Sequence, residues 1–346
     1  MRSHDSDNKR RVVSRSNAPT TRGPGDIPVG VVGMGLMGTS IAACLLIAGH
    51  PVAAVEMDAS RRRSARNRLL ALLKGSKKEA LLKADPLSVS KRFVVSDDYS
   101  VLRKSQVVIE SIIENIQAKR RVIRRVEEVV SPQAIIGSNT SAIPVSHLQE
   151  GAVHPERILG IHWGEPAHVL RFMEIICGKR TDPKNAEWVG ALAFQWGKEP
   201  SILRRDIRGF ITNRCMYALM REAFHLVDEG YATIEDVDRS LRNDLGYWIT
   251  FAGPFRYMDL TGIPAYEAVM RDLFPELSCR RKVPALMRKV VQSGGRGVSN
   301  GRGFYRYTPT QAKRWQKLFL RFSYEIRALA QKYSEAWRDS KPRPRV

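Results

Sequence analysis

A short apolar run, a glycine-rich turn and an apolar helical stretch follow one another near the start of the chain. Residues 27–33 are rich in β-branched side chains, which favours a strand, and residues 36–48 have helical spacing that ends at Gly49. A second apolar run, residues 52–55, follows at once. A strand, a helix and a second strand of these lengths form a βαβ unit with parallel strands. The sequence therefore predicts an α/β fold in this part of the chain.

The turn inside this unit has the pattern of a phosphate-binding loop. Its glycines, at positions 33, 35 and 38, match G-x-G-x-x-G, which permits a tight turn and close approach of the backbone to a pyrophosphate. The helix that follows offers free N–H groups and the positive end of its dipole to phosphates. Glu56 ends the second strand, where a carboxylate can accept hydrogen bonds from the adenosine ribose. The predicted dinucleotide site consists of Gly33, Gly35, Leu36, Met37, Gly38 and Glu56.

The acidic residue after the second strand also indicates which dinucleotide is bound. A carboxylate at this position repels the 2′-phosphate of NADP, so Glu56 favours NAD. The basic run Arg61, Arg62 and Arg63 would favour NADP, although a solvated helix face carries the same charges. The predicted cofactor is NAD.

Strand patterns continue to about residue 178 and then give way to helical patterns. Further apolar runs lie at residues 107–109, 134–136, 158–161 and 172–176. A basic helical hairpin, broken near Gly75, is predicted as an insertion at about residues 60–92. Beyond residue 204, helical patterns are separated by Pro and Gly. We predict an N-terminal Rossmann-type doubly wound sheet and a second, mainly α-helical C-terminal domain.

The predicted domain limits follow these changes in pattern. They are residues 1–26, a disordered basic leader; 27–204, the dinucleotide-binding domain; 205–308, a helical substrate and dimerisation domain; and 309–346, a basic amphipathic helix and tail. In the last helix Trp315, Phe319 and Phe322 alternate with many Arg and Lys. We expect its apolar face to dock on the helical domain, with a membrane or a partner surface as the alternative.

Composition excludes several classes of protein. Hydrophobic residues make up 43% and charged residues 27%, which is typical of a soluble globular protein rather than a disordered or fibrous one. The longest uninterrupted apolar stretch, residues 41–48, is far shorter than the roughly 20 residues that cross a bilayer, so no membrane span is expected. The four cysteines lack C-x-x-C spacing, which predicts no metal site and a cytoplasmic location.

The net charge of +22 is the remaining bulk feature. Such a surface attracts polyanions, anionic membranes or phosphorylated ligands. We interpret the charge first as that of an ordinary highly charged soluble surface, with a phosphorylated cofactor or substrate as the main alternative. The sequence has no recognised nucleic-acid-binding motif and no regular alternation of basic and aromatic residues. Nucleic acid is therefore not an expected partner.

Polar residues follow several predicted strands and therefore lie at the carboxyl edge of the sheet, where ligands bind in such folds. The segments ESIIEN, residues 110–115, and SNTS, residues 138–141, each follow an apolar strand. His162 ends another strand, and Glu174 lies in the next apolar run. A His beside a buried carboxylate can act as a general base, because the carboxylate fixes the tautomer and stabilises the imidazolium. The spacing alone suits a structural core histidine as well.

A set of motifs, in order, makes residues 27–308 similar to the L-3-hydroxyacyl-CoA dehydrogenase family. They are VGVVGMGLMG, ESIIEN, SNTSAI, the segment from HWGEP to MEII, RGFITNR, AGPFRYMDLTG and NGRGFYRY. The resemblance implies NAD-dependent oxidation of a 3-hydroxyacyl substrate to the 3-keto product, a CoA thioester as that substrate, a role in fatty acid metabolism and a homodimer. It also implies that His162 is the catalytic base and that Glu174 stabilises it.

The resemblance assigns further roles in the site. Ser141 and Asn213 match positions that hydrogen-bond the substrate oxygens, and Ser141 is also expected beside the cofactor. Glu114 and Lys119 match residues on the nicotinamide side.

Departures from the family pattern concern the substrate. Glu165 stands where the family usually has Asn, and residues 298–300 lack a Lys that approaches the cofactor in the family. Residues 246–251 are bulkier than the Gly-Pro turn they replace. A CoA carrier would be contacted by cations of the basic hairpin, although a solvated helix carries the same charges. The candidates are Arg66, Lys74, Lys77 and Lys78.

Two other functions stay open. Glu165, with Trp163 and Trp248 near it, would suit a polar or cationic group, as in a free hydroxy acid such as carnitine or a sugar acid. The other is an NAD-binding protein without catalysis that binds anionic surfaces or nucleic acid. The retained set of Ser, His, Glu and Asn argues against lost catalysis.

Overall fold

In the computed structural model, residues 23–333 form eight strands, thirteen α-helices and four short 3-10 helices. The strands are β1 (Val29–Val32), β2 (Val52–Val55), β3 (Phe93–Ser96), β4 (Val107–Glu110), β5 (Ile135–Ser138), β6 (Ile158–Trp163), β7 (Phe172–Cys177) and β8 (Glu199–Leu203). The first six α-helices are α1 (Leu36–Ile47), α2 (Ala59–Lys78), α3 (Pro86–Ser90), α4 (Ile116–Glu127), α5 (Val145–Leu148) and α6 (Pro183–Gln195). The others are α7 (Thr212–Asp228), α8 (Ile234–Asn243), α9 (Leu245–Phe251), α10 (Pro254–Thr261), α11 (Ile263–Leu273), α12 (Ala285–Gln292) and α13 (Pro309–Lys332).

Parts of the predicted leader and tail, residues 1–22 and 334–346, lie outside the described residues.

The strands form one sheet in the order β3-β2-β1-β4-β5-β6-β7-β8. The strands β1 to β6 are mutually parallel, whereas β7 runs antiparallel to β6, and β8 is parallel to β7. The order switches direction between β1 and β4, which is where doubly wound sheets bind ligands. The predicted sheet with a second, helical domain is confirmed.

The central strands form because their side chains are apolar on both faces. All four residues of β1 and of β4 are buried, as expected for parallel strands that are covered on both sides. The helix α1 is apolar nearly all round and has nine buried residues, so it packs as a core helix.

Helix α2 differs from its prediction, because it runs unbroken through Gly75. A glycine in a helix interior costs only about 1 kcal/mol relative to Ala. The Asp58 carboxylate accepts a hydrogen bond from the Arg61 N–H and caps the start of the helix, while Ala65, Leu69 and Leu73 bury one face. Capping and packing of this face offset the glycine.

The sheet also extends beyond residue 178, where the prediction ended. Its last strand, β8, contains Pro200 and exposes two of its five residues, so it lacks both an apolar run and a clear alternation. Proline is tolerated there because β8 is an edge strand. The antiparallel direction of β7 follows from the length of the link before it, since residues 164–171 are too few for a parallel crossover.

The described chain forms two compact units. The first comprises residues 23–140, Val145–Trp163 and Phe172–Asp206, and contains the whole sheet. The second comprises Ser141–Pro144, Gly164–Arg171 and residues 207–333. Two short segments that follow β5 and β6 thus belong with the second unit.

The second unit buries few of its side chains. Helices α7, α9, α10, α11 and α12 contain no fully buried residue. The prediction that the apolar face of α13 docks on the helical domain is wrong, because Trp315, Phe319 and Phe322 are 58%, 61% and 57% exposed. The helix is held elsewhere, by Arg327 Nη1, which donates to the Val169 carbonyl oxygen over 2.5 Å.

Among residues 23–333, no helix is both long and apolar enough to cross a bilayer. Within the same residues, no three His, Cys, Asp or Glu side chains converge to hold a metal ion.

Candidate active site

The glycine turn after β1 is built for close packing on one side and open space on the other. Gly33 has a φ of 95°, and a Cβ at Gly38 would lie 1.8 Å from the Gly33 carbonyl oxygen, so only glycine lets α1 begin this close to the turn. A Cβ at Gly35 would meet no atom within 4 Å. Gly35 is also the N-cap of α1 and makes no side-chain capping bond. This open turn at a helix N-terminus fits a dinucleotide pyrophosphate.

Glu56 lies beside this turn and is 7% exposed. Its Oε2 accepts from the Met34 N–H over 2.8 Å, and its Oε1 accepts from the Asp58 N–H over 3.0 Å. These bonds fix the carboxylate next to the glycines, as the predicted ribose contact requires. The guanidinium of Arg62 donates to the Glu56 carbonyl oxygen and pairs with Asp97 at 2.8 Å. A carboxylate therefore already offsets its charge, which weakens the argument for NADP.

A buried charge cluster joins the carboxyl ends of β4 and β5. Glu110 is completely buried and accepts from Lys119 Nζ over 2.8 Å and from the Ser138 hydroxyl over 2.5 Å. Lys119 Nζ also lies 3.3 Å from Glu114 Oε2, and Thr140 donates to Glu114 Oε1. The sequence predicts Glu114 and Lys119 here, and the structure brings them together.

Sequence reasoning missed Glu110 as the second carboxylate of this cluster. The strand β4, with the sequence VVIE, is apolar except for Glu110 at its end. An acidic side chain in a buried strand needs a buried cation beside it, and this is the signal that could have indicated the pair.

His162 and Glu174 face each other as a directly opposed pair across β6 and β7. The His162 Nδ1 lies 2.8 Å from Glu174 Oε2, and the two side chains are 10% and 1% exposed. Phe172 packs edge-on against the imidazole, with ring centroids 5.4 Å apart. The predicted pair exists because the antiparallel register places both residues at one rung of the sheet.

Ser141 and Asn213 are also brought together, within the second unit. Asn213 Nδ2 donates to the Ser141 carbonyl oxygen over 2.7 Å, from the first turn of α7. The turn before α7 has Gly209 and Phe210 at positive φ, 82° and 53°, and Phe210 is 1% exposed. A buried non-glycine residue at positive φ is held by its packing, and this strained turn fixes where α7 begins.

The comparisons with known proteins agree with this geometry. Residues 28–207 match the model of the 3-hydroxyacyl-CoA dehydrogenase NAD binding domain, and residues 209–307 match that of the C-terminal domain. The chain belongs to the 3-hydroxyacyl-CoA dehydrogenase family. It is an oxidoreductase with NAD as its cofactor, which confirms the predictions of family and cofactor.

Two similar enzymes of the family have different substrates in their names. The chain is 32% identical over 293 residues to 5-formyl-3-hydroxy-2-methylpyridine 4-carboxylate 5-dehydrogenase from Mesorhizobium japonicum, covering 83% of this chain and 93% of that protein. The crystal structure of a 5-formyl-3-hydroxy-2-methylpyridine 4-carboxylic acid 5-dehydrogenase, an NAD+ dependent dismutase, has a TM-score of 0.81, 31% identity and coverage of 88% and 98%. (S)-3-hydroxybutyryl-CoA dehydrogenase from Ralstonia eutropha has a TM-score of 0.66, 32% identity and coverage of 81% and 99%.

The residues that depart from the family pattern have clear positions. Glu165 is exposed in the link between β6 and β7. Residues 246–251 lie in helix α9 rather than in an irregular insertion. Asn300 accepts from the Arg296 N–H and donates to the Gly294 carbonyl oxygen, so it organises its own loop.

Trp163, which the free hydroxy acid alternative places near Glu165, does not offer its ring to a ligand. Trp163 is 2% exposed in the first unit, where it stacks on Trp196 with ring centroids 5.4 Å apart, and Lys198 Nζ lies 5.0 Å from its ring. Trp248 stacks on Tyr257 at 4.2 Å within the second unit.

The cations expected to contact a CoA carrier all lie on α2 and are exposed. Lys77 Nζ donates to the Lys83 carbonyl oxygen and so closes the end of the helix. The set is Arg66, Lys74, Lys77 and Lys78.

Proposed function

We propose that this protein oxidises the hydroxyl group of a 3-hydroxyacyl substrate to a ketone. The observation that carries the proposal is the buried pair formed by His162 and Glu174, with 2.8 Å between Nδ1 and Oε2. NAD, when bound, supplies the acceptor for the hydride that leaves the carbinol carbon.

His162 acts as the base in this proposal. With Nδ1 held by Glu174, Nε2 is the nitrogen that takes the hydroxyl proton. The Glu174 carboxylate, buried behind the ring, stabilises the imidazolium that forms. General-base assistance of this kind contributes roughly 10²–10⁴ in rate.

Other residues bind and orient the two ligands. We assign the adenosine half of NAD to the glycine turn and Glu56, and the nicotinamide side to Glu114 and Lys119. Ser141 and Asn213 hold the reacting oxygen, and the bond from Asn213 to the Ser141 backbone supports both. We further propose a homodimer that acts in the cytoplasm, where the four free cysteines stay reduced.

The acyl carrier in the first form of the proposal is CoA. Its phosphates would be contacted by exposed cations of α2, of which Lys74 and Lys78 lie about one helical turn apart.

A free carboxylate-bearing compound without CoA, such as a ring carboxylate, is the second candidate substrate. At nearly equal sequence identity, the backbone is more similar to the dehydrogenase of the formylpyridine carboxylate than to that of the CoA thioester. A hydrated aldehyde also has a hydroxyl on the carbon that loses hydride, so the same His and Glu can serve it. Glu165 is exposed and stands three residues after His162, where the family usually has Asn. This part of the chain therefore departs from the family pattern.

A spectrophotometric screen at 340 nm tests the proposal. NAD is supplied with 3-hydroxyacyl-CoAs of several lengths, carnitine, gulonate and the formylpyridine carboxylate. Saturable formation of NADH with a 3-hydroxyacyl-CoA supports the first form, and turnover of a free compound alone supports the second. No NADH with any of them, together with a salt-sensitive shift on DNA or anionic vesicles, would contradict both.

Charge reversal on α2 separates the two substrate classes. Lys74→Glu combined with Lys78→Glu should lower kcat/KM for the CoA thioester about tenfold or more, since each charge-assisted bond is worth about 1.5–3 kcal/mol. Turnover of a free substrate should not change. Arg103→Glu combined with Lys104→Glu, two reversals at exposed positions outside α2, is the matched control. If the α2 variant and the control lower kcat/KM for the CoA thioester equally, α2 is excluded as the site that binds the carrier.

A further inference from the structure

Arg68, on helix α2, reaches the glycine turn that follows β1. Its Nη2 donates to the Met34 carbonyl oxygen over 2.6 Å, and Met34 is the residue between Gly33 and Gly35. Its Nη1 donates to the Ser64 hydroxyl over 2.5 Å, about one helical turn earlier on the same face of α2. The guanidinium is thus held by its own helix on one side and by the glycine turn on the other.

Both backbone polar groups of Met34 are bound by ionisable side chains. The Met34 N–H donates to Glu56 Oε2 over 2.8 Å, and the carbonyl oxygen accepts from Arg68. The same carbonyl oxygen also accepts from the Thr39 hydroxyl over 3.2 Å. Arg68 is therefore not needed to satisfy this carbonyl group, and its position at the turn has a further reason.

The charge of Arg68 has no counter-ion among the residues that the structure describes. Arg62, which reaches the end of β2 from the same helix, pairs with Asp97 at 2.8 Å. The guanidinium of Arg68, in contrast, forms no ion pair within residues 23–333, and α2 itself contains no Asp or Glu. A half-buried cation without a counter-ion costs free energy, so this position favours an anionic ligand.

We propose that Arg68 binds the pyrophosphate of NAD and holds the glycine turn in the conformation that receives it. The proposal rests on our assignment of the adenosine half of NAD to this turn. Within the described residues the guanidinium uses only two of its N–H groups, so further donors remain for phosphate oxygens. The turn and the start of α1 offer neutral N–H groups, whereas a bond from a charged donor to a phosphate is roughly twice as strong.

Arg68 also offsets the charge of Glu56. Hydrogen bonds from the Met34 and Asp58 N–H groups fix the Glu56 carboxylate beside the turn, and this carboxylate has the same sign of charge as the pyrophosphate. A cation bonded to the same residue, Met34, reduces the repulsion between the two anionic groups. The turn can therefore keep a carboxylate for the ribose and still bind a phosphorylated ligand.

Calorimetric titration of the full-length protein with NAD and with ADP-ribose tests the assignment. Arg68→Met removes the charge and keeps an unbranched side chain. It should raise the Kd of both ligands about tenfold or more, because both contain the pyrophosphate that loses a charge-assisted bond. Arg68→Lys keeps the charge without the planar fork and should recover part of the affinity. Arg103→Met, at an exposed position outside α2, is the control and should leave both Kd values unchanged.

The salt dependence of NAD binding separates a charge contact from a purely structural one. The Kd of the wild type should rise from about 0.05 M to about 0.5 M NaCl, because salt screens the attraction between Arg68 and the phosphates. The Kd of Arg68→Met should rise less, and Arg68→Lys should keep the dependence of the wild type. Urea denaturation shows whether each variant is folded.

A folded Arg68→Met protein that binds NAD as tightly as the wild type would overturn the proposal. So would weaker binding with an unchanged salt dependence, since Arg68 would then only brace the turn, and so would a loss for NAD without a loss for ADP-ribose. Weaker binding of NADP alone would assign Arg68 to a 2′-phosphate instead. Gly35→Ala tests the underlying assignment separately: if it weakens NAD binding and Arg68→Met does not, the turn binds NAD without Arg68.

Discussion

Two buried ionisable residues near the carboxyl edge of the sheet, Lys119 and His162, each lie beside a partner that can carry the opposite charge. Lys119 is 1% exposed between Glu110 and Glu114, and His162 is 10% exposed against Glu174. A buried polar or charged group without a partner is costly, so the burial of each of these residues depends on the partner beside it. The cluster around Lys119 connects β4, α4 and β5, which links the fold to the nicotinamide side of the proposed site.

Replacing Lys119 by Met should destabilise the protein strongly. The substitution leaves Glu110 buried without its cation, and removal of one partner from a buried pair costs about 3–5 kcal/mol. Urea denaturation of the full-length protein measures this loss of unfolding free energy. Lys104→Met, at an exposed position, should change the free energy of unfolding by less than about 0.5 kcal/mol. A loss below about 1 kcal/mol for Lys119→Met would show that the cluster is not a stabilising charge pair.

Adding Glu110→Gln to Lys119→Met should restore part of the stability. The double variant removes both opposite charges and leaves a neutral amide that can still accept from Ser138. If the double variant is less stable than Lys119→Met alone, Glu110 does not act through Lys119.

The turn from β1 to α1 shows how one element divides its work among glycines. Gly38 is required by packing, because a Cβ there would collide with the Gly33 carbonyl oxygen. Gly35 faces open space and has an extended backbone, with φ of −69° and ψ of −161°, that alanine also adopts. The structure of the turn therefore requires glycine at position 38, whereas only a bound ligand requires glycine at position 35.

Gly35→Ala and Gly38→Ala should separate binding from stability. Gly35→Ala should leave the free energy of unfolding within about 0.5 kcal/mol of the wild type and weaken NAD binding, because the methyl group occupies the space of the pyrophosphate. Gly38→Ala should cost about 1–3 kcal/mol, since the turn must open. Calorimetric titration with NAD and urea denaturation measure the two effects. Unchanged NAD affinity in Gly35→Ala would move the pyrophosphate away from this turn.

At the scale of the whole molecule, local patterns were predictable and long-range pairings were not. The βαβ unit around Gly33 follows from short-range spacing, and the second, helical domain follows from the loss of strand patterns. The edge strand β8 was missed because Pro200 and exposed residues remove its apolar signal. Sequence patterns do not indicate which surfaces of a chain meet. They therefore predict neither the pairing of Glu110 with Lys119 nor the exposure of the apolar face of α13. The pairing of His162 with Glu174 depends on the antiparallel register of β6 and β7, which the short link between them allows.

The charge of the whole chain also bears on the proposed function. A net charge of +22 attracts anionic ligands without regard to a particular site, so weak binding of a CoA thioester or of an anionic ring compound is not by itself evidence for a site. Turnover that depends on particular residues is the stronger criterion.

The most direct test of the central claim compares the wild type and His162→Gln at saturating NAD with the best substrate of the screen. The measured quantity is kcat from NADH formation at 340 nm, with the NAD Kd measured in parallel. The proposal predicts that His162→Gln lowers kcat by roughly 10²–10⁴ while the NAD Kd stays the same. Unchanged kcat in a folded His162→Gln protein would contradict it.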